Sequence, residues 1–225
     1  MANELELAIV LVVLGIVSFW SYKKKFLDNE GLLIAFILGL SVFILGGIAG
    51  FTTLVIFFGV AELGTIFFTG KNVKQKHALR GTGNILGNAL AGIVALLFNS
   101  PIGFFCAISA SLADTLSSEI GILSKQKPRL ITTFKQVDRG VDGGISLLGL
   151  GAAIVGAMVM GGVYFGFFHN AKIALVVFAA GFFGSVADSI LGATIQKKGL
   201  VDNNEVNFLA SAIAAIAGAI GTLLI

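Results

Sequence analysis

Charge is scarce in this sequence. Asp, Glu, Lys and Arg make up 12% of its 225 residues, about half the roughly 25% of an ordinary soluble domain. With 56% of the residues hydrophobic, there is too little polar surface to cover a water-soluble globule, and disorder is excluded for the same reason. Cysteine is nearly absent as well: Cys106 stands alone, so there is no internal disulfide, and no cluster of Cys or His suggests a structural zinc site. The 30 glycines follow no collagen-like period and read as packing residues between helices in lipid. The net charge of +3 lies in loops between apolar runs rather than on a soluble face, which argues against nucleic acid as a partner. Walker A, G-x-S-x-G, H-E-x-x-H and dinucleotide fingerprints are all missing. The composition is that of an integral membrane protein.

The runs free of charge are Leu7–Tyr22, Gly31–Ala61, Gly81–Ala113, Gly143–Ala171, Ile173–Ala187 and Val206–Ile225. A helix needs roughly 20 residues to cross a hydrocarbon core about 30 Å thick. The stretch from Gly31 to Gly70 would be about 60 Å long as one helix, so it must be two, with Gly46-Gly47-Ile48-Ala49-Gly50 as the turn. The stretch from Gly81 to Gly121 divides in the same way at Asn99-Ser100-Pro101. The prediction is an all-α, polytopic transmembrane bundle forming a single domain over residues 1–225. It has about eight helices, at 5–21, 31–46, 50–69, 83–98, 101–121, 144–166, 172–195 and 206–225, or seven if one split is wrong. Eight helices place fourteen of the fifteen basic residues on one side and leave Lys172 opposite. That asymmetry predicts a plasma-membrane protein with cytoplasmic basic loops and both termini outside. Trp20 and Tyr22 fit an interfacial belt.

Acids inside such spans are costly, at least ~2.5–3.5 kcal/mol at mid-bilayer, and usually face the bundle interior. Glu62, Asp114, Glu119 and Asp188 are the acids within or at the ends of the predicted helices. Two of them share a local repeat: Ser111-Leu112-Ala113-Asp114-Thr115 recurs as Ser185-Val186-Ala187-Asp188-Ser189, and Val60-Ala61-Glu62 is a fainter third copy. Each copy sits on the second arm of an in–out–in hairpin, which suggests three parallel hairpins. Gly181, Gly184, Asp188, Gly192 and Gln196 line one stripe of the seventh helix, and small residues allow close approach. Two carboxylates brought together repel unless a cation lies between them or one is protonated. The pair therefore points either to a Mg²⁺ site or to a proton or cation pathway.

The loops point to phosphate. Lys135 and Arg139 precede Gly143-Gly144 and Ser146, where the sixth helix is expected to start, and a Gly-Gly pair at a helix start offers free amides to an anion. His77, Arg80, Gly81, Thr82, Gly83, Asn84 and Asn88 repeat the recipe before the fourth helix. Asn204 reads as an N-cap of the last helix, whereas Asn207 lies a turn too far in to cap it.

Taken in order, these segments resemble an integral membrane family long catalogued as a domain of unknown function, which includes the plant phytyl-phosphate kinase. The resemblance runs from about Lys23 to the C-terminus. It rests on the loop from Arg80 to Asn88, on Asp114-Thr115 with Ser118-Glu119-Ile120-Gly121, and on Thr133-Phe134-Lys135. Gly143-Gly144-Ile145-Ser146, Asp188-Ser189 with Leu191-Gly192-Ala193 and Gln196, and Val206-Asn207 complete it. The resemblance implies a kinase that transfers the γ-phosphoryl group of a nucleoside triphosphate, CTP on family grounds alone, to an isoprenoid monophosphate such as phytyl or geranylgeranyl phosphate. It implies Asp114, Glu119 and Asp188 as Mg²⁺ ligands. Arg80, Lys135 and Arg139 would hold phosphates, assisted by Asn84, Asn88, the Gly143 and Gly144 amides, and by Ser118, Ser146, Gln196 and Asn207. Membrane lipid would be the other partner, and a homo-oligomer is compatible with the sequence. The alternatives are a cytidylyltransferase forming a CDP-lipid and a small cation- or proton-coupled transporter.

Overall fold

The computed structural model describes residues 4–68 and 81–224. Seven α-helices lie among the described residues: α1 (Glu4–Lys24), α2 (Asn29–Phe68), α3 (Thr82–Leu97), α4 (Pro101–Gly121), α5 (Leu147–Phe168), α6 (Ala171–Leu191) and α7 (Asn203–Gly221). The second of these is two arms. Gly47 has φ 63° and ψ −164°, a conformation that glycine tolerates and other residues resist. There the chain doubles back: Gly50 packs on Val42, although eight residues of continuous helix would separate them by about 12 Å. Phe43 and Phe51 meet edge to face across the turn, with centroids 6.4 Å apart. Counting the arms separately gives eight segments. The other expected turn is also present, with Asn99 left-handed at φ 56° and Pro101 opening α4.

Five helices, α1, α2, α5, α6 and α7, are long and apolar enough to cross a membrane, and α3 is a shorter apolar helix. The chain is an integral, multi-pass membrane protein. Its outer surface carries Leu5, Ile16, Phe19, Ile44 and Phe183, all exposed, as a lipid-facing surface should. α4 packs against α2, α3, α5, α6 and α7, and Phe104, Cys106, Ala107, Ile108 and Leu112 along it are fully buried. Protein rather than lipid surrounds α4, so it can carry Asp114 and Glu119 at its end. Small residues set the spacing around those acids. A Cβ on Gly156 of α5 would lie 2.9 Å from the Ala113 Cα, and one on Gly184 of α6 would lie 2.9 Å from the Ala214 Cβ of α7.

Three boundaries differ from expectation. The sixth predicted helix does not begin at residue 144. Gly144–Ile145 is instead strand β2, paired antiparallel with β1 (Arg129–Leu130). Ile131 N–H donates to Gly143 O at 2.9 Å and Gly144 N–H to Val141 O at 3.0 Å, so this backbone is committed to the loop. α5 starts only at Leu147, capped by Ser146, whose Oγ accepts from Gly149 N at 3.1 Å. At the end of α6 the chain passes into a π-helical turn, Gly192–Gln196. α7 begins at Asn203, three residues early, because Asp202 and Glu205 form a reciprocal capping box. Asn204 is therefore not the N-cap.

Candidate functional site

One cavity of about 510 Å³ opens where the chain's loops converge. Its lining shows how the hairpins are used. Lys25 follows α1 directly; Glu62 and Thr65 come from the late part of α2; Asp114 to Glu119 come from the late part of α4; Asp188 and Ser189 come from the end of α6. The arms that start here contribute differently. Asn84 and Asn88 lie in the first turns of α3, Ser146 and Gly149 at the start of α5, Asn203 and Asn207 in the first turns of α7. Apart from α1, which brings Lys25, the arms arriving at the cavity thus bring carboxylates, and arms leaving it bring helix N-termini and amides. The three matched acids of the sequence repeat, Glu62, Asp114 and Asp188, all reach this one cavity.

The carboxyls of Asp114 and Asp188 lie within hydrogen-bonding reach of one another. Asn207 holds one of the two, Asp188. With its amide nitrogen turned toward acceptors, it donates to Asp188 Oδ2 at 3.1 Å and to Asn203 O at 3.2 Å. Asp142 lies close enough to repel Asp188, because Gly143, at φ 74°, lets the loop backbone meet α6: a Cβ there would be 2.6 Å from Ser189 O. Glu119 belongs to a different contact. Five residues along a helix turn about 140° from Asp114, and Glu119 Oε1 accepts instead from Thr65 Oγ1 at 3.0 Å. The expected trio of Asp114, Glu119 and Asp188 therefore does not gather as one ligand set: among the described residues no three Asp, Glu, His or Cys side chains group closely enough to hold a metal.

The remaining expected residues divide. Ser118, Arg139, Gly143 and Gln196 line the cavity, as do Asn84, Asn88, Ser146 and Asn207. Arg139 is anchored at the rim, its Nη2 donating to Ser124 O at 2.6 Å. Asn88 is buried, and its amide donates to Asn84 O at 2.8 Å. Ser146 works chiefly as a clamp, since besides capping α5 it donates to Gly121 O at 3.3 Å. Gly144 lines the cavity, but its N–H is spent within the loop, so it is not the free anion-binding amide that a helix start would give. Lys135 is the plainest miss: it sits exposed on the loop outside the cavity lining. Arg80 and His77 lie outside the described residues.

Sequence reasoning overlooked Lys25, Asp142 and Thr65, all of which line the cavity. Lys25 carries no local signal beyond being the last lysine after an apolar run, and Asp142 is just one acid in a polar loop. Their inclusion changes the electrostatics. Among the described residues the lining holds five carboxylates (Glu62, Asp114, Glu119, Asp142, Asp188) and two cations (Lys25, Arg139). Such an excess of acid favours a bound cation, and a side-by-side carboxylate pair matches magnesium's habit of taking one or two carboxylates and completing its shell with water and phosphate. The N-termini of α3, α5 and α7 supply the complementary positive ends for an anion.

The comparisons with known proteins agree with this architecture. The chain is 35% identical to "Uncharacterized membrane protein MJ0933" of Methanocaldococcus jannaschii, over 97% of this chain and 95% of the relative. It is 28% identical to "Protein PGR" of Arabidopsis thaliana over 99% and 98% of the two chains. It is 27% identical to "Protein VTE6, chloroplastic" of the same plant, over 84% of this chain and 63% of the relative. No solved structure matches. Residues 12–215, nearly the whole bundle and every described cavity residue, match the family described as integral membrane protein DUF92, and the chain belongs to that family.

Proposed function

We propose that the protein is a membrane phosphotransferase that moves the γ-phosphoryl group of a nucleoside triphosphate to an isoprenoid monophosphate, giving the diphosphate. The observation that carries this reading is the cavity: Asp114 and Asp188 side by side, amid five carboxylates and two cations, with three helix N-termini around them. A lining so acidic repels a bare polyphosphate and accepts it with a divalent cation. The family includes the plant phytyl-phosphate kinase, which supports the reaction class and the acceptor. CTP as donor rests on that relationship alone.

In the transfer, an acceptor phosphate oxygen forms a bond to the γ-phosphorus while the bond to the β–γ bridging oxygen breaks, and the electron pair leaves with the nucleoside diphosphate. The attacking oxygen is already anionic, so no general base is needed. Catalysis reduces to aligning two anions and balancing their charge. Asp114 and Asp188 would hold Mg²⁺, which when bound neutralises charge on the phosphate oxygens. Asn207 fixes the Asp188 carboxylate. Lys25 and Arg139 reach the phosphates from the rim, and the starts of α3, α5 and α7 orient them. On the distribution of Lys and Arg, we place the cavity on the cytoplasmic side of the plasma membrane.

The acid excess also suits a cation transporter, which needs a path to the opposite face. Phe104, Ile108 and Leu112, fully buried along α4 beyond Asp114, fill that direction with apolar side chains, and this favours the enzyme. The test is to incubate purified protein with Mg²⁺, γ-labelled CTP or ATP, and phytyl or geranylgeranyl monophosphate. Label in a prenyl diphosphate, lost in Asp114→Asn, is the expected result. Pyrophosphate release with no labelled lipid would move the assignment to a cytidylyltransferase, and absence of nucleotide binding by folded protein would overturn the enzyme reading.

A further inference from the structure

A second, apolar cavity of about 100 Å³ lies between α1, both arms of α2 and the start of α3. Its walls include Leu14, Ala35, Phe36, Leu54 and Phe58, and several of these are half-buried, so it opens to the protein surface within the lipid-facing zone. It shares two residues with the polar cavity, Asn84 and Asn88. The groove is thus the apolar continuation of the site, and the two asparagines form the junction. Its walls run over eight residues of α1, from Leu14 to Ser21, and eight of the second arm of α2, from Phe51 to Phe58, seven steps of rise each. That is about 10 Å of helix, on the order of two isoprene units. Ser21 also lines it: the side chain is fully buried and its hydroxyl has no hydrogen-bond partner among the described residues. A buried hydroxyl left without a partner is unfavourable, and here it lies in the wall of a groove leading to a phosphate site.

We infer that this groove holds the first part of the hydrocarbon chain of a lipid monophosphate, whose head group passes Asn84 and Asn88 into the acidic cavity. The inference rests on the phosphotransferase reading for its head group and deepens it by assigning the tail. The occupant is an anionic single-chain lipid rather than a bilayer phospholipid, because the groove ends in the phosphate cavity and not in the head-group region of the bilayer. An ester oxygen at the top of the chain would give the Ser21 hydroxyl its acceptor.

The probe is a farnesyl monophosphate analogue with a diazirine on its second isoprene unit, photolysed on purified wild-type protein in nanodiscs and mapped by peptide mass spectrometry. Label should fall on the α1 and α2 walls of the groove and be displaced by geranylgeranyl monophosphate but not by phosphatidylcholine. Label spread over exposed residues such as Leu33 and Ile37, or displaced equally by phosphatidylcholine, would overturn the proposal. Kinetics supply a second, independent arm. Ala35→Phe fills the groove and should raise KM for geranylgeranyl monophosphate about tenfold, the worth of roughly two buried methylenes, while leaving KM for the nucleotide unchanged. Ile37→Phe, on the exposed side of the same helix, should change neither. Transfer by the wild type with an unaltered lipid KM in Ala35→Phe would reject the groove and leave the kinase standing. Specific groove labelling without phosphoryl transfer would keep the groove and reject the kinase.

Discussion

Asn207 offers the sharpest test of the site, because its predicted role is geometric and its substitution by Asp reverses that role with little change in shape. The amide donates to Asp188 Oδ2 at 3.1 Å while being tied to Asn203 O on its own helix, so it fixes one carboxylate of the pair from α7. Removing that hydrogen bond in Asn207→Ala should weaken Mg²⁺ binding by about 10–100-fold, the usual effect of losing a group that orients a metal ligand. The cost in stability should be about 0.5–1.5 kcal/mol, the net value of one hydrogen bond. Asn207→Asp is the harsher change. It puts a third carboxylate against Asp114 and Asp188, and two unit charges about 4 Å apart interact by ~4 kcal/mol at an effective dielectric constant near 20. Without a second cation the variant should lose more activity than Asn207→Ala despite its closer shape. The assay is phosphoryl transfer titrated with Mg²⁺, beside thermal unfolding in the same detergent. Unchanged Mg²⁺ dependence in Asn207→Ala, or an Asn207→Asp enzyme as active as wild type, would refute the claim that Asn207 organises the carboxylate pair.

Four further outcomes follow from the same geometry. Asp114→Asn and Asp188→Asn should each lower kcat by ~10²–10³ with folding intact by size-exclusion chromatography; activity within about tenfold of wild type in both would remove the pair from the chemistry. Arg139→Ala should raise the KM for a phosphate substrate about tenfold, the scale of one charge-assisted hydrogen bond, whereas Lys135→Ala should leave both KM values unchanged because its side chain lies off the cavity lining. Gly143→Ala should destabilise the protein by about 1–3 kcal/mol, read as a lowered Tm, since a Cβ there would meet Ser189 O at 2.6 Å and φ is 74°. Chelation by EDTA should abolish transfer, and added Mg²⁺ should restore it.

The bundle was legible because lipid imposes a simple rule: apolar runs of spanning length become helices. Even the break in α2 could be placed, since no helix of that length fits the bilayer and Gly47 stands in the only glycine cluster of the run. The pairing of Asp114 with Asp188 was legible for a related reason, as acids are rare enough in spans that a matched pair with serine and small neighbours stands out. The segment between Ile122 and Ser146 was not. It lies outside the bilayer rule, and glycines there serve two physical purposes that look alike in sequence. Gly143 and Gly144 suggested a helix start, yet Gly143 is needed where the loop backbone touches Ala193 and Ser189. With the loop built that way, Lys135 is exposed off the cavity lining while Asp142 lines the cavity together with Asp188. Lys25 was invisible for the opposite reason: its place depends on a left-handed turn at φ 56° after α1, which no neighbouring residue announces.

Hairpin topology accounts for why one end of this bundle gathers the acids and the helix N-termini. An arm that arrives at the cavity presents the negative end of its helix dipole, and an arm that leaves presents the positive end. α2, α4 and α6 arrive, and each carries an acid near that end: Glu62, Asp114 and Asp188. Glu62 and Asp114 lie six and seven residues before the ends of α2 and α4, where the dipole itself contributes little, but three carboxylates facing one cavity repel one another. Such an arrangement is relieved by protons on the acids or by positive charge among them, and Lys25 and Arg139 supply two charges against five carboxylates among the described residues. The shortfall sits deepest between Asp114 and Asp188, where α4 is sealed from lipid by its neighbours and Asn207 has already fixed one carboxylate. Asp114 and Asp188 would hold a divalent cation there, which would relieve the repulsion, while the starts of α3, α5 and α7 would face the anion. The same three hairpins that bury the helices therefore also create a deficit of positive charge that a metal–polyphosphate complex is suited to fill.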